Sequence, residues 1–468
     1  MFSLFLESRR EKAKELVKLL AKDYKFVSIL GKHVKDEVYI VDKKSANIQP
    51  GSTSECGFVL KLSNGKAFFE YSLNDLNLDL NELKEKIENE LDFNDLNNEM
   101  INVDIIKEEE LKKSFVRESD YDKFSDKDIL DSLINIKDLT LSKSKNLLNV
   151  RVILMKRDIS SLYISTKREL DQNWTWSNGM IISIYNENDK TVMARVGDNY
   201  NNIGDVLKSL PNKIDELISK SHYLSLAKPI VPGVYDVITH PSISGLIAHE
   251  AFGHGVEMDQ FVKDRALAKE YVGKYVASPL VNMVDGASAC LSQASYFFDD
   301  NGTLAGNTRI IKDGILVSGI CDQTSGAELN FTPTGNGRRE TFKRKAYTRM
   351  TNTFFLGGDS DVNDMIKSIK HGYMLFETNN GMEDPKNWAI QCVCEYGIEI
   401  VDGKLTDNYV SPVVMSGYVP DLLKSISMVS KDVVVTGSGS CGKGYKEWVR
   451  VSDGGPYLKA KVKLAWWI

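Results

Sequence analysis

Leu6, Ala13, Leu16, Val17 and Leu20 recur at spacings of three, four and seven, which predicts an amphipathic helix over residues 5–22. Short β-like runs follow at 37–42, 57–62 and 66–71, and Asn64-Gly65 between the last two is a hairpin signal. Residues 80–91 read as helix again. The stretch 73–145 is rich in Asn, Asp, Leu and Lys and reads largely as solvated helix and loop. The first order then returns. A helix at 127–137 precedes strands at 148–155, 160–166, 178–186 and 190–196, and a helix follows at 203–220. A helix–strands–helix unit occurring twice suggests an internal duplication, although the two copies share no visible identity.

Lys228-Pro229 and Val231-Pro232-Gly233 punctuate the chain and place a boundary between an N-terminal domain, 1–225, and a C-terminal domain, 226–468. The second part is β-rich. Strands are predicted at 308–318, 353–356, 388–401, 410–418 and 432–436, with Asp313-Gly314 and Asp402-Gly403 as hairpin candidates. Its one notable helix is predicted over about 242–270. Helices and antiparallel strands without regular βα alternation indicate an α+β fold.

Charge and composition narrow the classes. The formal net charge is −6 and no dense basic block occurs, so nothing asks for nucleic acid or an anionic membrane. The first residues mix charge with apolar positions, unlike a secretory signal, and no apolar run approaches a membrane span. Six scattered cysteines fit free thiols in a reducing compartment, and the cytoplasm is the expected location.

The chemistry concentrates in SGLIAHEAFGHGVEMD, residues 244–259. His249 and Glu250 are adjacent on the predicted helix, and His254 follows His249 by five residues. In the zinc-peptidase arrangement HExxH the ligands are four apart, about 40° around the helix axis. Five apart gives about 140°, a poor angle for sharing one ion on a straight helix. Gly253 and Gly255 bracket His254 and permit a bulge or an early helix end that swings the second imidazole round. Zn²⁺ takes neutral imidazole nitrogen and keeps an open position for water, whose pKa falls towards ~7. A neighbouring carboxylate then accepts the proton, and Glu250 is placed for that role. His240 lies nine residues before His249 and is not expected to ligate.

A second informative stretch is KDVVVTGSGSCGKGYKEW, residues 431–448, read as a β-run ending in a glycine-rich loop. Its Gly437…Gly442-Lys443 spacing matches a phosphate-binding loop. That reading fails because position 444 is glycine, no helical periodicity follows, and too little chain remains for a sheet. Cys441 in this stretch offers a zinc-binding thiolate. Spacing alone does not tie it to the histidines. Cys392 and Cys394, on one face of a predicted strand, are rivals, and a buried inert thiol is a third reading.

The strings HEAFGHGVEMD (249–259), DDNGTLAGNTRIIKDGIL (299–316), GNGRRE (335–340), RMTNTFF (349–355) and GSGSCGKG (437–444) together resemble the TldD/PmbA family, in its TldD-like, metal-bearing branch. They cover about residues 226–445 in order, while the N-terminal half matches only in pattern. The resemblance implies a zinc metallopeptidase acting on small or unfolded peptides, with an α+β fold and a duplicated N-terminal part. It implies His249, His254 and Cys441 as metal ligands and Glu250 as general base. It also implies a dimer, either of identical chains or with a TldE/PmbA-like subunit that lacks the metal motif, and peptide bound as an added strand.

Other expectations are open at this level. Glu257 and Asp259 either orient an imidazole or are solvated charges at a helix end. Arg338, Arg339 and Arg349 either hold a substrate carboxylate or carbonyl or form structural ion pairs. Trp466 and Trp467 read as packing or interface residues. The alternative from another class is a non-catalytic peptide-binding or scaffold subunit, which would have no use for the intact HExxxH and Cys441. A metal oxidoreductase is a third class; the His/Cys set with an adjacent glutamate favours hydrolysis, without excluding iron.

Overall fold

The computed structural model describes residues 1–91, 101–443 and 446–466. Gly444 and Trp467 lie outside the described residues. The helix expected over 5–22 is broken at Ser8-Arg9: Leu6 is buried from a short helical turn, Leu4–Glu7, while Ala13, Leu16, Val17 and Leu20 pack helix α1 (Arg10–Leu20) against strand β1 (Phe26–Val41) and strand β2 (Glu55–Ser63). Strand β3 (Phe68–Leu73) closes the predicted hairpin, and helix α2 (Leu80–Glu90) follows. The order recurs as helix α3 (Asp126–Ser142), strands β4 (Leu147–Ser165), β5 (Arg168–Glu187) and β6 (Lys190–Tyr200), and helix α4 (Ile214–Leu226). β1 pairs antiparallel with β4, which joins the two copies into one sheet. The helix–strands–helix order read from pattern thus occurs twice. Two details differ from the expectation. Residues 148–155 and 160–166 form a single strand, because the polar residues between them pair across β1 and β5. Likewise, β1 starts at Phe26 rather than 37, its first half mixing Gly, Lys and His with apolar residues that the sheet buries.

The second half builds a strand ring and a mixed sheet. Strands β7 (Gly233–Thr239), β10 (His371–Asp384), β11 (Ala389–Val401), β12 (Val413–Tyr418) and β15 (Leu458–Ala465) pair so that the circuit closes on itself. The mixed sheet contains β8 (Met283–Asp285), β9 (Asn352–Phe355), β13 (Val434–Lys443) and β14 (Lys446–Gly455). Helix α5 (Pro241–Phe252) packs between the two and is buried along all twelve residues. A helix apolar all round belongs in a core. His240 caps its start, accepting the Ser242 N–H, with Pro241 in the first turn. Asp313-Gly314 and Asp402-Gly403 adopt the left-handed backbone that tight hairpins need.

Two expectations are corrected here. The helix predicted to about 270 ends at Phe252 and gives way to a short turn, His254–Val256, and a short helix, Met258–Val262. The glycine-rich segment around Cys441 is a strand and not a loop: β13 runs on to Lys443, with register shifts that absorb the extra residues. Among the described residues no helix is long and apolar enough to cross a membrane.

Candidate metal centre

The early end of α5 brings the two histidines together. Gly253 has an ordinary φ of −74°, so its need for glycine is spatial and not torsional. A Cβ there would run into the His249 carbonyl oxygen and the Met350 sulfur. The chain tightens after it, and the rings of His249 and His254 come to 5.1 Å between centroids with planes 89° apart. From the opposite side β13 delivers Cys441, whose Sγ lies 3.4 Å from His254 Nε2. One donor atom from each of the three residues lies within 4.8 Å of the others. Ligands at 2.0–2.3 Å from one ion stand at most about 4.4 Å apart, so a small closure suffices.

The donor set suits a borderline-soft cation. His249 Nδ1 is buried with no hydrogen-bond partner, a lone pair that a cation would satisfy. Burial opposes charge on all three groups, yet their closeness outweighs it. His254 and His249 hold the Cys441 thiol well below its ordinary value, and Cys441 in turn raises both imidazoles. The site thus favours the thiolate, the form that ligates metal.

A charged frame surrounds the cluster. Glu257, almost wholly buried, faces His254 Nδ1 at 3.4 Å and accepts from Lys443 Nζ at 2.9 Å. Lys443 also reaches Asp259 at 2.8 Å and the Thr348 carbonyl at 3.1 Å. Burial works against the charge of Glu257, but Lys443 and His254 keep its carboxyl well below the usual range. Burial lifts the second carboxyl of the pair, Asp259, to about 6. Arg349 donates to the Cys441 carbonyl at 2.7 Å and to its sulfur at 3.1 Å, and bonds the Glu447 carbonyl. It therefore holds the cysteine in place. Arg339 pairs with Glu70 at 3.0 Å, and Arg338 donates to the backbone carbonyls of Met350 and Arg450. His240 serves as the helix cap. Cys392 and Cys394 are fully buried in the core, their thiols pushed up by burial.

Glu250 is buried beside His249. Gly381 of β10 lies against it; a Cβ there would sit 2.6 Å from Glu250 Cγ. Sequence reasoning missed three groups. Glu383, two residues along β10, has both carboxylate oxygens buried without partners, and burial together with Glu250 and Glu257 holds its carboxyl well above the usual range. Asp453 of β14 is raised to about 6 by burial. Lys443 shows in the sequence only as part of a failed phosphate loop. Only pairing between distant strands assembles them, so no local spacing could have pointed to them.

Lys443→Met tests the frame. Removing one partner from a buried charge group typically costs about 3–5 kcal/mol. Denaturant unfolding should show a loss of that order, and an unchanged midpoint would mean that Glu257 and Asp259 are neutralised some other way.

With the geometry in view, comparison with known proteins places the chain. Residues 232–463 match the family model described as PmbA/TldA metallopeptidase C-terminal domain. A zinc metalloprotease TldD homolog of Saccharolobus solfataricus is 30% identical over 281 residues, 58% of this chain and 62% of that one. A metalloprotease TldD homolog of Haemophilus influenzae is 33% identical over 228 residues, 48% of this chain and 47% of that one. The chain thus spans only about half to three-fifths of the length of these relatives. In fold, the crystal structure of TldE from Thermococcus kodakarensis superposes with a TM-score of 0.76 at 17% identity, covering 97% of this chain and 100% of the other.

Proposed function

Since the chain belongs to the TldD/PmbA family, we propose that it is a zinc-dependent peptidase that hydrolyses short or unfolded peptides. The observation that carries this reading is the convergence of His249, His254 and Cys441 with Glu250 alongside. In it His249 and His254 offer ring nitrogens and Cys441 its thiolate, and a bound zinc ion would supply Lewis-acid polarisation of the scissile carbonyl and a more acidic water. Glu250 takes the proton of the attacking water and passes it to the leaving amine. Glu257 orients His254 through its second nitrogen, and Arg349 fixes the cysteine.

A second chain of the same fold, either another copy or a TldE-like subunit, completes the working assembly in this reading. Residues 226–468 form the catalytic part and 1–225 the supporting part.

The test is direct. The zinc-loaded chain, alone or mixed with a TldE-like partner, should cut a short disordered peptide and spare a tightly folded protein. Chelation should abolish the cleavage and added zinc restore it. Cleavage that survives chelation, or absence of cleavage under every one of these conditions, would overturn the reading.

A further inference from the structure

Cys441 pairs with Val449 and Ser440 with Arg450 across β13 and β14, so alternation sends the Arg450 side chain to the face away from the histidines. On that face a cavity of about 120 Å³ opens between β14 and the first sheet. Arg157, Trp174, Gln293, Arg338 and Arg450 line it.

Among the described residues several of its arginines lack an ion-pair partner. The acids that line the cavity are already engaged. Lys32 pairs with Asp300 at 3.0 Å and with Glu55 at 3.5 Å. Asp299 accepts backbone N–H groups of Asn301, Thr303 and Gly337, and Glu340 faces Arg344 at 3.8 Å. Arg339, which also lines it, pairs with Glu70, but no ion pair holds Arg157, Arg338 or Arg450 among the described residues. Arg157 is 4% exposed; it donates to Gln293 at 2.8 Å and weakly to Asn178, and its Nε has no partner. Arg338 spends its donors on two backbone carbonyls. Among the described residues the Arg450 guanidinium has no ion pair, and burial lowers the proton affinity of all three groups. Trp174 adds a buried indole N–H without a partner. Asp36, opposite Arg157 in the β1–β4 pairing, is the nearby acid, but it accepts from Thr53 and makes no ion pair with either arginine. Arg157 and Arg450 therefore have no carboxylate at ion-pair distance among the described residues, and uncompensated buried charge is costly.

We propose that this cavity binds a small carboxylate, held by the guanidinium forks of Arg157 and Arg450 with the indole N–H of Trp174 as a further donor. The planar fork matches a carboxylate in two parallel hydrogen bonds. The ligand bridges strands of the first sheet and the metal-bearing half, so its binding stabilises their contact. The site lies apart from the metal ligands, and binding there is read without turnover.

Calorimetry and thermal shift on the full chain test this with three probes: citrate, an N-acetylated tripeptide with a free C-terminus, and the same tripeptide amidated. At least one carboxylate probe should bind and raise Tm, and the amide should not. Arg450→Gln and Trp174→Phe should each weaken that binding roughly tenfold, the worth of a hydrogen bond to a charged group. Binding of citrate alone assigns a free organic acid. Binding of the free-acid peptide but not its amide assigns a peptide C-terminus. Absence of binding by either carboxylate, equal binding of the amide, or affinity unchanged in both variants would overturn the assignment.

Discussion

Glu250→Gln is expected to lower kcat/KM for peptide cleavage by about 10²–10⁴-fold, with zinc stoichiometry and melting temperature unchanged. The amide keeps the volume and the buried position of the glutamate but cannot accept the proton of the attacking water. Glu250 is 7% exposed and lies directly after His249 on a helix buried on every side, so its backbone has little freedom. Gly381 leaves it room, since any side chain there would press on Glu250 Cγ. The neighbouring carboxyl, Glu383, is driven toward its neutral form by burial and by Glu250 itself. That upward shift makes Glu383 the poorer base and supports the role proposed for Glu250. Steady-state kinetics with metal analysis on the same sample checks this. Turnover retained in Glu250→Gln would move the proton transfer to Glu383.

Much of the architecture was legible because its signals are local. Ala13, Leu16, Val17 and Leu20 mark their helix by period, and Asn64-Gly65, Asp313-Gly314 and Asp402-Gly403 mark their turns by torsion. Strands β7, β10, β14 and β15 were not read, since their meaning lies in the partners they meet across the ring and the mixed sheet. The polar second half of β10 carries Thr378, Asn380 and Glu383 and looks like loop until β11 pairs with it. At the candidate centre the histidine pair and its glycine were visible in a single string. The place of Cys441 rested on family likeness alone, because a separation of 187 residues carries no spacing information. The roles of Lys443 and Arg349 were least accessible. A buried cation is recognised by the carboxylates around it, and Glu257 and Asp259 reach Lys443 only through the fold.

Cys441→Ala is expected to cost more zinc affinity than the ten- to hundredfold typical of losing an outer hydrogen-bond partner of a metal ligand. On the proposed ligand set the alanine removes one of three protein donors and also the negative charge that the two imidazoles face. Without the thiolate, burial pushes His249 and His254 toward neutral rings, and two neutral donors hold a divalent ion weakly. The fold should survive. Cys441 lies on a strand whose backbone pairs with Val449 in either variant, and Arg349 retains its bond to the carbonyl of residue 441. Arg349 loses only its contact to the sulfur. Zinc per chain after dialysis against a weak chelator, measured beside a thermal melt, separates the two effects. Cys392→Ala is the control, since that thiol is buried in the core and takes no part in the cluster. A Cys441→Ala chain that keeps stoichiometric zinc at unchanged affinity would free β13 from the centre, and the histidines would then need a different third donor.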